Sequence, residues 1–149
     1  MMGERMKYGM ALALIGAILA SSTAYARDTI NNYPIESALK SDEGKLDDGV
    51  ALYFGDQPHP HVIKSYGTFA TNKKTNAFGK SDEAACQHVF LSAVLELQAR
   101  ARKEGGNAVV GIKSNYRNVL RSSETEYTCG AGAVMAGAAL TGEVVTLKR

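Results

Sequence analysis

Residues 81–104 constrain the fold more than any other stretch. Ser81 is a suitable N-cap, and Asp82 and Glu83 place negative charge where a helix dipole favours it. Cys86, Val89, Phe90, Ala93, Val94, Leu97 and Ala101 then recur at steps of three and four, forming a single apolar stripe. Arg100, Arg102 and Lys103 gather near the end, and Gly105-Gly106 supplies a left-handed stop. A helix of this kind must lay its stripe on another layer.

Strand signals supply that layer. Val50–Phe54 is a short apolar run closed by Gly55-Asp56, and His61–Phe69 alternates with Val62, Tyr66 and Phe69 as packing positions. Pro58 and Pro60 keep the intervening segment out of regular pairing. Asn107–Ile112, extending toward Tyr116, reads as a third strand, Glu124–Cys129 as a fourth and Gly142–Leu147 as a last. Ala70–Lys80 reads as a loop, and the glycine- and alanine-rich Gly130–Ala139 as a loop or short helix. The expected fold is therefore α+β: one long amphipathic helix packed on a mostly antiparallel sheet of about four to five strands. With no Trp and few aromatic residues, its core is expected to rest on Val, Leu, Ile and Ala.

The first 26 residues read as an export signal. Arg5 and Lys7 give a basic start, Met10–Ala20 an apolar centre, and Ala24-Tyr25-Ala26 the small residues that precede a cut. The apolar run is shorter than the ~20 residues a spanning helix needs, and no Cys near the cut offers a lipid anchor. Cleavage after Ala26 would leave a periplasmic protein of 123 residues without a stable membrane anchor. In it, residues 27–48 are polar and turn-rich and read as a flexible N-terminal arm, and 49–149 as one domain. Cys86 and Cys129 are the two cysteines, and in an oxidising compartment an even count reads as a disulfide with a single possible pairing.

Other constellations narrow the chemistry. The formal charge is +2, falling to +1 once Glu4, Arg5 and Lys7 are removed, which is not the footprint of a nucleic-acid binder. Gly132 and Gly137 have the spacing of a phosphate-binding loop, but Ala138 and Ala139 stand where Lys and Ser/Thr are required. Tight turns or close backbone packing account for these glycines, and no cofactor is expected. His59 and His61 flank Pro60 and are weak candidates for Cu²⁺ or Zn²⁺, with Asp56 the nearest further ligand. His88 lies apart on the helix. Asp42, Glu43, Asp47 and Asp48 lack the spacing of a calcium loop. Lys73, Lys74, Arg100, Arg102 and Lys103 could form a small basic patch for anions. No serine sits in a nucleophile elbow, so no catalytic residue is assigned.

Four separated blocks resemble a family of small exported proteobacterial proteins that circulate under the label "excinuclease ATPase subunit". They are Asp47–Gly55, Thr71–Phe78, Gly105–Val110 and Cys129–Gly137, spread over residues 45–147. An excinuclease ATPase carries phosphate loops and zinc modules, and this sequence has neither, so the activity in that label is not expected here. Gly105-Gly106-Asn107-Ala108-Val109-Val110, at the end of the helix, is also similar to the YbjQ-like fold and to the Rcs envelope-stress sensor lipoprotein. In the sensor, disulfides tie the helix region to the sheet, which implies the same for Cys86 and Cys129. The chain differs from it in lacking the lipid-bearing Cys and two further cysteines. The expected function is a periplasmic, non-catalytic binding or interaction domain for a protein or small-molecule partner. An envelope-stress sensor acting through protein partners, or a weak Cu/Zn-binding protein, are the alternatives.

Overall fold

The long helix forms as the sequence requires and sets the architecture. The computed structural model describes residues 27–149; the export signal and its cut after Ala26 lie outside the described residues. In chain order these residues form β1 (Thr29–Pro34), α1 (Ile35–Ser41), β2 (Ala51–Phe54), β3 (Val62–Asn76), α2 (Asp82–Glu104), β4 (Ala108–Ser114), β5 (Glu126–Ala131) and β6 (Met135–Leu147). Ser81 caps α2 by accepting a hydrogen bond from the Ala84 amide at 3.1 Å, and Gly105 ends it at φ 88°. The apolar stripe of α2 is buried against the sheet.

The result is an α+β fold with a six-stranded sheet, one strand more than the upper end of the expected range. β6 is its spine. One edge of β6 pairs antiparallel with β3 along its whole length, and the other is shared between β5 at Ala136–Gly137 and β4 at Leu140–Val145. β1 extends the sheet antiparallel beyond β5, while β2 joins β4 in the one parallel pairing. The sheet is thus mostly antiparallel, as expected. The main core lies between α2 and the sheet, with a smaller cluster of Ala108, Val110, Val145 and Leu147 elsewhere.

Three segments differ from expectation. Residues 27–48, read as a flexible arm, are built into the fold: β1 pairs with β5 over six residues, and α1 buries Ile35 and Ala38 in the main core. Hydrogen bonding to a neighbouring strand holds β1, and that partner leaves no mark in the periodicity of β1 itself. Ala70–Asn76, read as loop, continues β3, because residues 69, 71, 73 and 75 alternate as more buried positions along a polar edge strand. Gly130–Ala139 is neither loop nor helix but the end of β5, a tight turn and the start of β6, closed by Gly132 N donating to Met135 O at 2.7 Å.

The segment before β2 is fastened to α2 by one buried amide. Gln98, 2% exposed, accepts from Asp47 N and donates to the carbonyls of Asp47 and Val50. Arg102 adds a two-pronged ion pair to the Asp47 carboxylate, both contacts at 2.6 Å. Hydrogen bonding from Arg102, then from the Gly49 amide, lowers the Asp47 pKa to about 2. A carboxyl whose folded pKa lies below its unfolded value of 3.8 stabilises the fold above that value and loses the contribution as pH falls toward 2. Urea midpoints are therefore expected to fall between pH 5 and pH 2, and less steeply in Arg102→Ala. An unchanged slope in that variant would refute the assignment.

Candidate functional site

The sparse side chains of the β5–β6 turn are what open a cavity. Cys129 and Ala131 of β5 and Ala136 and Ala138 of β6 belong to the core under α2, so the alternating Gly130 and Gly137 turn the other way. Tyr116, from the turn Tyr116–Asn118 after β4, lies against them. A Cβ on Gly130 would overlap its phenol, and one on Gly137 would come within 3.3 Å of its ring. These glycines thus serve close packing, one of the two roles expected of them, but against a side chain that nothing in the sequence singles out.

Around Tyr116 opens a cavity of about 540 Å³ lined by Gly130, Gly132–Gly137, Arg27, Asp28 and Lys74. The Tyr116 hydroxyl lies 3.4 Å from both Asp28 carboxylate oxygens, one of which, Oδ2, also pairs with Arg117. Burial first, and the Asp28 charge second, raise the Tyr116 pKa, so the phenol is neutral at physiological pH. Arg117 itself adopts φ 53°, a left-handed conformation that costs a non-glycine residue roughly 1–3 kcal/mol and that recurs at binding sites. Arg27 is tied to Asp82 at the start of α2 by contacts of 2.8 and 3.1 Å. Lys74 is in no ion pair among the described residues. At the rim Val134 and Met135 are 59% and 48% exposed, and Phe78, whose neighbour Ala77 donates to Val134 O, is 75% exposed.

This arrangement can hold an apolar body on a glycine floor and a tyrosine face, with one lysine free for an acidic end.

The residues singled out from the sequence fall elsewhere. Cys86 and Cys129 are disulfide-bonded, Cα atoms 5.9 Å apart, joining the first turns of α2 to β5. His59 and His61 are exposed on the segment between β2 and β3. The His59 ring contacts Tyr53 edge-on, and its Nδ1 lies 2.8 Å from Pro60 O. No group of three or more His, Cys, Asp or Glu is placed to hold a metal among the described residues. His88 and Asp56 are exposed and apart from them. The five residues of the suggested basic patch are divided: Arg102 turns to Asp47, Lys73 to Glu96, and Arg100 to Glu104 and the Phe69 ring.

Fold and cavity together define an α+β domain with its helix stapled to its sheet and an apolar-rimmed cavity beside the β5–β6 turn. No family model matches the chain, and no curated protein matches it. It has a distant structural likeness to a protein of unknown function of the DUF74 family from Pediococcus pentosaceus. That likeness has a TM-score of 0.43 and 11% identity, over 66% of this chain and 96% of that one.

Proposed function

We propose that this chain is a periplasmic, non-catalytic binding domain and that the Tyr116 cavity takes its ligand, an apolar molecule with one acidic group. The observation that carries the reading is the cavity itself: an apolar rim, a floor without side chains, and Lys74 as the cation left free. Supporting an exported setting are the disulfide, the leader-like residues 1–26 and the resemblance to small exported proteins. No helix among the described residues is long and apolar enough to cross a membrane.

Anilinonaphthalene sulfonate, an aromatic sulfonate of this chemistry, is a direct probe. Saturable binding near one per chain is expected, at least tenfold weaker in Lys74→Glu. Gly130→Val, whose side chain would overlap the Tyr116 phenol and force it from its place on the cavity wall, should abolish it while circular dichroism stays native. Absence of saturable binding by the native protein would sink the reading.

A second reading, an envelope-stress sensor acting through protein partners, is favoured by the adjacent exposed side chains of Phe78, Val134 and Met135. A photo-crosslinker at position 134 that captures no periplasmic protein under envelope stress would count against it. The copper or zinc reading at His59 and His61 finds no third ligand among the described residues and is not carried further.

A further inference from the structure

Exposed apolar side chains are not spread evenly over this molecule. Seven large ones are exposed among the described residues, and four of these, Ile30, Phe78, Val134 and Met135, lie at or beside the Tyr116 cavity. Backbone pairing places them there. Ala136 and Ala138 face α2, so Met135 and its partner Asn76 turn to the opposite face of the sheet, and Lys74, the partner of Gly137, turns with them. Ile30 is paired with Gly130, which lines the cavity on that same face. Phe78 stands next to the β5–β6 turn because Ala77 N donates to Val134 O at 2.7 Å.

The charge left over around this surface has one sign. The carboxylates of Asp28 and Asp82 are taken by Arg117 and Arg27. Lys74 and Lys80 are in no ion pair among the described residues. The Lys80 amide donates to Ala77 O at 3.1 Å, which closes a turn with Phe78 on it. Glu83, an unpaired acid, belongs to the first turn of α2, on the other side of the sheet. Apolar side chains that stand on turns beside unpaired lysines match the boundary between lipid and water. There the apolar groups enter the acyl region while the ammonium groups stay with anionic headgroups.

We propose that this surface docks the protein reversibly on a membrane containing anionic phospholipid, with Phe78, Val134 and Met135 inserted and Lys74 and Lys80 toward the headgroups, so that the Tyr116 cavity opens where its ligand is dissolved. The docking rests on this surface, and the delivery of a ligand rests on the cavity reading above. A lipid boundary is where molecules of the assigned class collect, because their apolar body enters the acyl region and their acidic group stays outside it. Three inserted side chains and two lysines make a contact that releases again, as a carrier or sensor of such molecules requires.

The test is sedimentation of the oxidised protein with vesicles of phosphatidylcholine alone and of phosphatidylcholine mixed with phosphatidylglycerol. Binding to the mixed vesicles is expected, weakening as NaCl is added, and binding to phosphatidylcholine alone should be roughly tenfold weaker. Phe78→Asp should abolish it. Lys80→Glu should weaken it about tenfold and leave anilinonaphthalene sulfonate affinity, measured without vesicles, unchanged, since Lys80 is not on the cavity lining. Ile63→Asp removes an exposed apolar side chain at the far end of β3 and should bind vesicles as the native protein does. Equal binding to both vesicles, or equal losses in Phe78→Asp and Ile63→Asp, would overturn the docking. So would dye binding without vesicle binding, which leaves the cavity reading standing, and capture of a periplasmic protein at position 134 would then assign the surface to a protein partner. Vesicle binding without saturable dye binding would strike the cavity reading and the delivery with it.

Discussion

Replacing Cys86 and Cys129 together by alanine is expected to lower the unfolding free energy by about 4 kcal/mol. The bond closes a loop with a sequence separation of 43, for which chain entropy alone gives roughly that figure. Both residues are fully buried, so alanine adds small voids without introducing the buried hydroxyls that serine would. The bond also spans the main structural joint, from the first turns of α2 to β5. Domains of this size are stable by only about 5–15 kcal/mol, so the loss is a large share. Urea unfolding of oxidised native protein beside the double variant measures it, with the variant's slope rising if its unfolded chain expands. A difference below about 1 kcal/mol would mean that helix–sheet packing alone fixes the joint.

What the sequence shows of this molecule is what its own side chains repeat. α2 is legible to within a residue because its stripe, N-cap and glycine stop all lie in one contiguous segment. The cysteine pairing is legible because two cysteines allow one answer. β1 is not, since Asn31 and Asn32 carry no burial pattern and the strand exists through its pairing with β5. The start of β6 is hidden for the opposite reason: Ala136, Gly137, Ala138 and Ala139 differ too little in size for a two-residue alternation to show, although all are buried. The cavity inherits both difficulties. Its floor is glycine, its wall is a tyrosine on a turn, and Arg27 and Asp28 reach it from the segment that read as an arm. The division of the basic cluster is hidden too, because only tertiary packing separates Arg100 from Arg102, turning one to Phe69 and the other to Asp47.

The aromatic core carries the second large expected effect. With no Trp and few aromatic residues, the sequence points to a core of Val, Leu, Ile and Ala, yet the two largest fully buried side chains are Tyr127 and Phe90. They stack at 3.9 Å between ring centroids, with Phe54 6.0 Å from Phe90 and Tyr33 6.0 Å from Tyr127. This row links α2, β2, β5 and β1, elements brought together from four parts of the chain. Phe90→Ala is expected to cost about 3–5 kcal/mol, since it leaves a void between α2 and the sheet that the surrounding packing closes only in part. Phe90→Leu should cost less, because it refills most of the volume but not the stacked face. Tyr127→Phe provides the contrast. The Tyr127 hydroxyl is buried without a partner, and burial pushes its pKa up, so removing it should leave stability unchanged or raise it. Calorimetric melting of the three variants tests the assignment. Equal losses for Tyr127→Phe and Phe90→Ala would show that the hydroxyl, rather than ring packing, holds this row together.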